Sequence, residues 1–204
     1  SAFISYSGAL INPRHDMGEC SIFSLPDFND FDGAILLTNT VGYQSVVTDI
    51  LNRIKEAGIP AVSIDNDIPY LYYIGIDNKH AMRCITEHLI ERHGFSRFAY
   101  ISGPDDNPES SARLSGFLEV LREHNITISD DYIYHGDFRA PSGRAAAESF
   151  LANPNGLPQA VICANDVMAA AVINRFGDEG LSVPDDIAVT GFDNTYSNHN
   201  YQVE

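Results

Sequence analysis

The sequence is poor in positive charge, in cysteine and in long apolar runs, and each shortage removes a class of protein. Twelve lysines and arginines stand against 28 acidic residues, a net charge of -16. A field of that sign repels phosphate backbones, so this segment is not expected to touch DNA or RNA directly. Three cysteines in 204 residues, Cys20, Cys84 and Cys163, are odd in number and widely spaced. Reduced thiols suit that pattern better than a disulfide frame, and Cys84 and Cys163 read as packing residues of buried elements. No run approaches the ~18 apolar residues of a membrane span. The opening Ser1-Ala2-Phe3-Ile4-Ser5-Tyr6 lacks the basic start of a signal peptide. These absences predict a cytoplasmic chain with no membrane contact.

Catalytic and cofactor motifs are scarce as well. No Gly-x-x-x-x-Gly-Lys-Ser/Thr loop and no Gly-x-Gly-x-x-Gly turn follows an apolar run, which argues against nucleotide cofactors. No Gly-x-Ser-x-Gly elbow occurs. No histidine pair has the His-x-x-x-His spacing, although His88 and His93 share a helix. Surface and helix-end roles are expected for the histidines, with no metal site and no cofactor. The adjacent Asp105 and Asp106 precede Asn107-Pro108, a setting for a turn and a helix cap rather than an acid pair. The chain does not read as an enzyme.

What is present is a repeated unit: a short apolar run, a polar or small tip, then a helical pattern. The runs are Ala2 to Tyr6, Gly33 to Leu37, Pro60 to Ile64, Phe98 to Ile101, Ala160 to Cys163 and Ile187 to Val189, with a further strand over Asp131 to Tyr134. Their weak alternation suits parallel strands buried on both faces. Helices are predicted over Gln44 to Ala57, Asp77 to His93, Glu109 to His124, Ser142 to Leu151 and Asp166 to Gly177. Asp77 or Asn78 can cap the second of these, and Gly58 and Gly94 stop the helices before them. Alternating strands and helices predict an α/β fold of parallel sheets flanked by helices, with right-handed crossovers. Ligands gather beyond the carboxyl ends of such strands; turn and capping needs alone produce polar tips, but their repetition points to a binding cleft.

Several stretches in order carry a family likeness. They are Phe31 to Leu37, Gly58 to Asp65, Ile76-Asp77-Asn78, Thr86 to Ile90, Ile101 to Pro104, Arg113 to Phe117, Cys163 to Asp166, and Val183 to Asn194. Together they resemble the ligand-sensing domain of the lactose/galactose repressor (LacI/GalR) family, whose type I fold is shared with periplasmic sugar-binding proteins. The resemblance implies two lobes, 1–75 and 76–192, with 193–204 starting a return crossover. It also implies one more strand and helix before Ser1 and further segments after Glu204, so that this is a partial domain. The segment Arg14 to Phe28 does not match the helix of typical repressors. The function implied is a sensing and dimerisation domain of a transcriptional regulator, a homodimer that binds a small polar effector, sugar or purine-like, between its lobes. Similar domains precede histidine kinase or diguanylate cyclase modules, and others serve transporters as solute-binding proteins.

At the matched positions the resemblance places ligand contacts on Arg113 and Asp193. An arginine there offers a fork of donors, and an ionised aspartate offers acceptors. The rival roles are a solvent-facing helix arginine and a hinge acceptor. Asn165 offers donor and acceptor together, and its rival role is to cap the helix that starts at Asp166. Asp166 itself reads as a structural acceptor. Phe192, Tyr6, Tyr43 and Phe138 lie near tips or loops where a ring can stack on a ligand face. Asp137, Asn39 and Asp77 are further candidates, and Asn194 suits the turn after Asp193.

Overall fold

The computed structural model describes residues 20–38, 41, 43–64 and 66–195. The strand expected over Ala2 to Tyr6, the candidates Tyr6 and Asn39, and the crossover from 196 onward lie outside the described residues. The chain divides into two compact units, Ser1–Ile76 and Asp77–Glu204. Among the described residues no helix is long and apolar enough to cross a membrane.

In the first unit β1 (Ala34–Leu36), β2 (Ala61–Ile64) and β3 (Tyr72–Ile74) form a parallel sheet in that order. The register sets Ala34 against Ala61 and Val62 against Tyr72. Helix α1 (Gln44–Ala57) buries Val47, Ile50 and Ile54, the stripe its spacing predicts. Gly58 ends it with φ 67°, a left-handed turn that costs a residue without Cβ little. Among the described residues the buried cluster is small: Ile50, Ile54 and Ala61, with Phe23, Phe28 and Leu71 among its half-buried neighbours. The described part of the Arg14 to Phe28 segment makes a 3-10 turn over Ser21–Ser24, and a second follows over Phe28–Asp30. Arg53 pins them by donating to the carbonyls of Phe23 at 2.7 Å, Ser24 at 3.3 Å and Pro26. Its guanidinium also lies 5.1 Å from the Phe28 ring centroid.

The second unit holds a four-stranded parallel sheet in the order β5-β4-β6-β7. Its elements are α2 (Asn78–His93), β4 (Phe98–Ser102), α3 (Pro108–Glu123), β5 (Ile133–His135), α4 (Ala140–Leu151), β6 (Ala160–Cys163), α5 (Asp166–Asp178) and β7 (Ala188–Thr190). The strands β4 and β6 are buried at every position, as their unbroken apolar runs require. From β4 the chain goes to one side for β5 and then returns past it to β6 and β7. The strand order therefore reverses between β4 and β6.

Helices pack in pairs, α2 with α3 and α4 with α5. Both pairs approach closely at a glycine. A Cβ on Gly116 would stand 2.5 Å from the Lys79 carbonyl oxygen, and one on Gly143 would stand 2.5 Å from that of Met168. At the surface of the first pair Arg83 bridges Glu87, Glu119 and Glu123 at 3.0, 3.3 and 2.6 Å. The core includes Tyr100 stacked on Phe117, with centroids 4.8 Å apart, and Phe150, Met168 and Phe176.

The cysteines divide differently from the sequence expectation. Cys163 and Cys20 are buried, and burial pushes the Cys163 thiol well above the ordinary thiol range. Cys84 is exposed. It falls on the outer side of α2, because Met82, Thr86 and Leu89 take the buried side.

Candidate functional site

The strand order reverses between β4 and β6, and the carboxyl ends at such a switch point are the place where an α/β sheet presents a ligand site. Four connections converge there: Gly103 after β4, Asp137-Phe138 after β5, Ala164-Asn165 after β6, and Gly191-Phe192-Asp193 after β7. Arg113, on the second turn of α3, reaches into this junction. The helix is set by Asn107, whose side chain accepts from the Ser110 N–H at 2.9 Å, and by Pro108 in the first turn.

Arg113 is buried, with 4% of its surface exposed, so the solvent-facing role does not apply. Its Nε donates to Asn78 Oδ1 at 2.8 Å and one Nη donates to the Ala164 carbonyl at 2.5 Å. The other Nη has two carboxylates at a looser 3.5 Å, Glu109 from its own helix and Asp193 from the β7 end. The guanidinium lies 3.8 Å from the Phe192 centroid and 5.8 Å from that of Phe138. A buried cation held by neutral acceptors and aromatic faces, with its carboxylates at arm's length, keeps donor capacity for a further acceptor.

Asp193 sits at φ 95° just beyond β7 with 39% of its side chain exposed. Partial burial raises its carboxyl pKa, the neighbouring Asp166 raises it further, and the Arg113 charge opposes both. The residue two positions before it is also constrained. A Cβ at Gly191 would stand 2.2 Å from Asp166 Oδ1, so that carboxylate rests against bare backbone. Asn194, at φ 51°, carries the turn.

Asn165 is the residue for which the structural role prevails. Its Oδ1 accepts from the Met168 N–H at 3.0 Å and caps α5, while its Nδ2 donates to the Phe138 carbonyl at 2.9 Å. That bond holds Phe138 at φ 64°, with its ring over Gly103, where any Cβ would clash. Asp166 is a structural acceptor, taking the Thr195 N–H at 2.6 Å and the Thr195 hydroxyl at 3.2 Å. Asp137 turns its carboxylate to the Arg139 N–H at 3.0 Å. Hydrogen bonding within that turn, with Ser142 foremost, lowers its pKa. Asp77 caps α2 by accepting from the His80 N–H at 2.9 Å. Tyr43 immediately precedes α1 in the first unit.

The structure thus gathers Arg113, Asp193, Phe192 and Phe138 around one point. Asn165 supports them from behind, and Asp137 is engaged in its own turn. Sequence reasoning missed Asn78 and Glu109 as neighbours of Arg113. Asn78 reads as a helix cap in sequence, beside an aspartate that takes the cap instead, and only the packing of α2 on α3 brings its amide to the guanidinium.

Comparison with known proteins agrees with this frame. Residues 86–202 match the family model of the periplasmic binding protein-like domain. The chain is 34% identical over 165 residues to the probable HTH-type transcriptional repressor ExuR of Bacillus subtilis, covering 80% of this chain and 48% of that protein. It is 38% identical over 165 residues to the HTH-type transcriptional repressor PurR of Photobacterium profundum, again covering 80% and 48%. A regulatory protein of the LacI family from Chloroflexus aggregans superposes with a TM-score of 0.72 at 27% identity, over 94% of this chain and 64% of that one. The chain spans about half the length of the curated relatives it matches.

Proposed function

The chain belongs to the periplasmic-binding-protein-like sensor domains of the LacI/GalR family of transcriptional regulators, and from that premise we propose that it senses a small polar effector for a homodimeric, cytoplasmic transcriptional repressor. The observation that carries this reading is Arg113: a buried guanidinium at the switch point of the second unit's sheet, packed against Phe192, with Asp193 at 3.5 Å. The fork donates to a hydroxyl, carbonyl or carboxylate of the effector. Asp193 accepts from a hydroxyl or ring N–H, and Phe192 covers an apolar face. Sugars and purine-like rings both present that set of groups. An effector that binds one conformation better than another shifts the population of that conformation, and the regulator reads the shift. The net charge of -16 argues against DNA contact by this segment itself. The relatives named above are transcriptional repressors, which favours this output over a kinase, a cyclase or a transporter.

The test is titration calorimetry against a panel of sugars, sugar acids, purines and nucleosides, followed by Asp193→Asn with the effector so found. That substitution keeps size and one acceptor and removes the charge. It should weaken binding by roughly 1.5–3 kcal/mol with little change in folding. Affinity held within about twofold, together with a sharp fall in Tm, would make Asp193 a structural hinge acceptor and remove it from the site.

A further inference from the structure

The outer side of α2 carries two pairs of metal-ligating side chains that effector recognition does not use. His80, Cys84, His88 and His93 are all exposed there. In the second pair, His88 Nε2 and His93 Nε2 stand 3.1 Å apart. Two imidazole nitrogens each ~2.0–2.1 Å from one ion, at an angle between ~90° and ~109°, stand about 2.9–3.4 Å apart. The observed separation falls inside that window. The spacing is i, i+5, which a search for the His-x-x-x-His pattern passes over, and it works because His93 is the last residue of the helix before the turn at Gly94.

We propose that His88 and His93 form a bidentate site for a divalent late first-row transition ion, such as Cu²⁺ or Zn²⁺.

Three features support the site. The His93 ring stacks on Phe95, with centroids 5.5 Å apart and planes 26° apart, and the His88 ring meets it edge-on at 5.0 Å. One of the two rings is therefore already oriented by an aromatic platform, which reduces the ordering needed on binding. The pair also lies at the carboxyl end of α2, where the helix dipole favours a cation. Finally, two Nε2 atoms at hydrogen-bond distance need one N–H and one lone pair between them. A metal ion instead engages both lone pairs. Imidazole suits copper, zinc and nickel, and copper binds such donors most tightly in the divalent series. Among the described residues no group of three or more such ligands gathers, so water completes the coordination. The Cys84 Sγ and His80 Nε2, 3.5 Å apart, are the other pair on the same helix, and the experiment must separate the two.

The full chain carrying His80→Ala and Cys84→Ser serves as the background, and Cu²⁺ and Zn²⁺ alone are the probes. Calorimetry should find an ion bound per chain that is lost, or weakened about tenfold or more, when His88→Gln and His93→Gln are added. Electron paramagnetic resonance of the Cu²⁺ form should lose imidazole nitrogen coupling in the same step. Circular dichroism of each variant checks that the helix remains. Equal affinity and equal nitrogen coupling with and without the two substitutions would overturn the proposal. Binding that disappears already in the background would assign the metal to His80 and Cys84 and overturn it equally.

Discussion

Single groups in the second unit are held at a cost that only function or packing explains. Asp193 is the clearest, because burial and Asp166 raise its carboxyl pKa against the pull of Arg113. A carboxyl whose folded pKa lies above its unfolded value adds stability that is complete below the unfolded pKa and lost as pH rises through the folded one. At neutral pH its charge therefore weighs against the effector-free fold. Asp193→Asn should melt at the same temperature as the parent, or higher, near neutral pH, and the difference should vanish in acid. Thermal melts across a pH series check this, and a variant that is less stable at neutral pH would contradict it. Tyr100 is a second such group. Its ring is wholly buried on Phe117, burial pushes its phenol well above the ordinary tyrosine range, and among the described residues its hydroxyl has no hydrogen-bond partner. Tyr100→Phe keeps the stacked ring and removes a desolvated hydroxyl, so it should stabilise the protein by about 1 kcal/mol. Denaturant titration measures it.

At the scale of elements, two glycines in the α4–α5 pair look alike in sequence and differ in three dimensions. Gly143 faces the Met168 backbone, with its would-be Cβ 2.5 Å from the carbonyl oxygen and 2.8 Å from Cα, while Gly177 has nothing within 4 Å. Alanine is favoured over glycine in a helix by about 1 kcal/mol. Gly177→Ala should therefore gain stability, and Gly143→Ala should lose roughly 1–3 kcal/mol because backbone cannot step aside. Parallel unfolding curves of the two variants test the closeness of the helix pair. The same scale shows what was legible beforehand. Helix α1 is found over the predicted residues and α2 begins one residue after its predicted start, because amphipathic stripes, a capping aspartate and stop glycines all agree along the chain. Strand β3 escaped, since three exposed residues Tyr72, Tyr73 and Ile74 carry no alternation and earn their strand state only by pairing with β2. Cys84 was misplaced because helical periodicity leaves small apolar residues ambiguous between the two sides. In the site, the resemblance singled out Arg113 and Asp193, and the structure brings their side chains within 3.5 Å of each other. The ties of Asn165 and Asn78 were not legible, since amide groups serve caps and ligands with the same chemistry.

Among the described residues, the chain joins two units whose buried clusters differ greatly in size. The second gathers a continuous buried cluster running from Met82 to Val189, whereas the buried cluster of the first consists of Ile50, Ile54 and Ala61. Its sheet also leaves Ile35, Tyr72 and Ile74 exposed. Opening a region costs free energy in proportion to the apolar contacts it must give up. Amide deuteration should therefore divide the chain near residue 76. Backbone hydrogens of β4 and β6 should persist longest and exchange only when the whole second unit opens, while those of β1 to β3 should be lost much earlier. Mass spectra at intermediate times would then show peptides before Ile76 fully labelled and peptides from 98–102 and 160–163 still protonated. Uniform labelling across both units would mean that their stabilities are coupled into one.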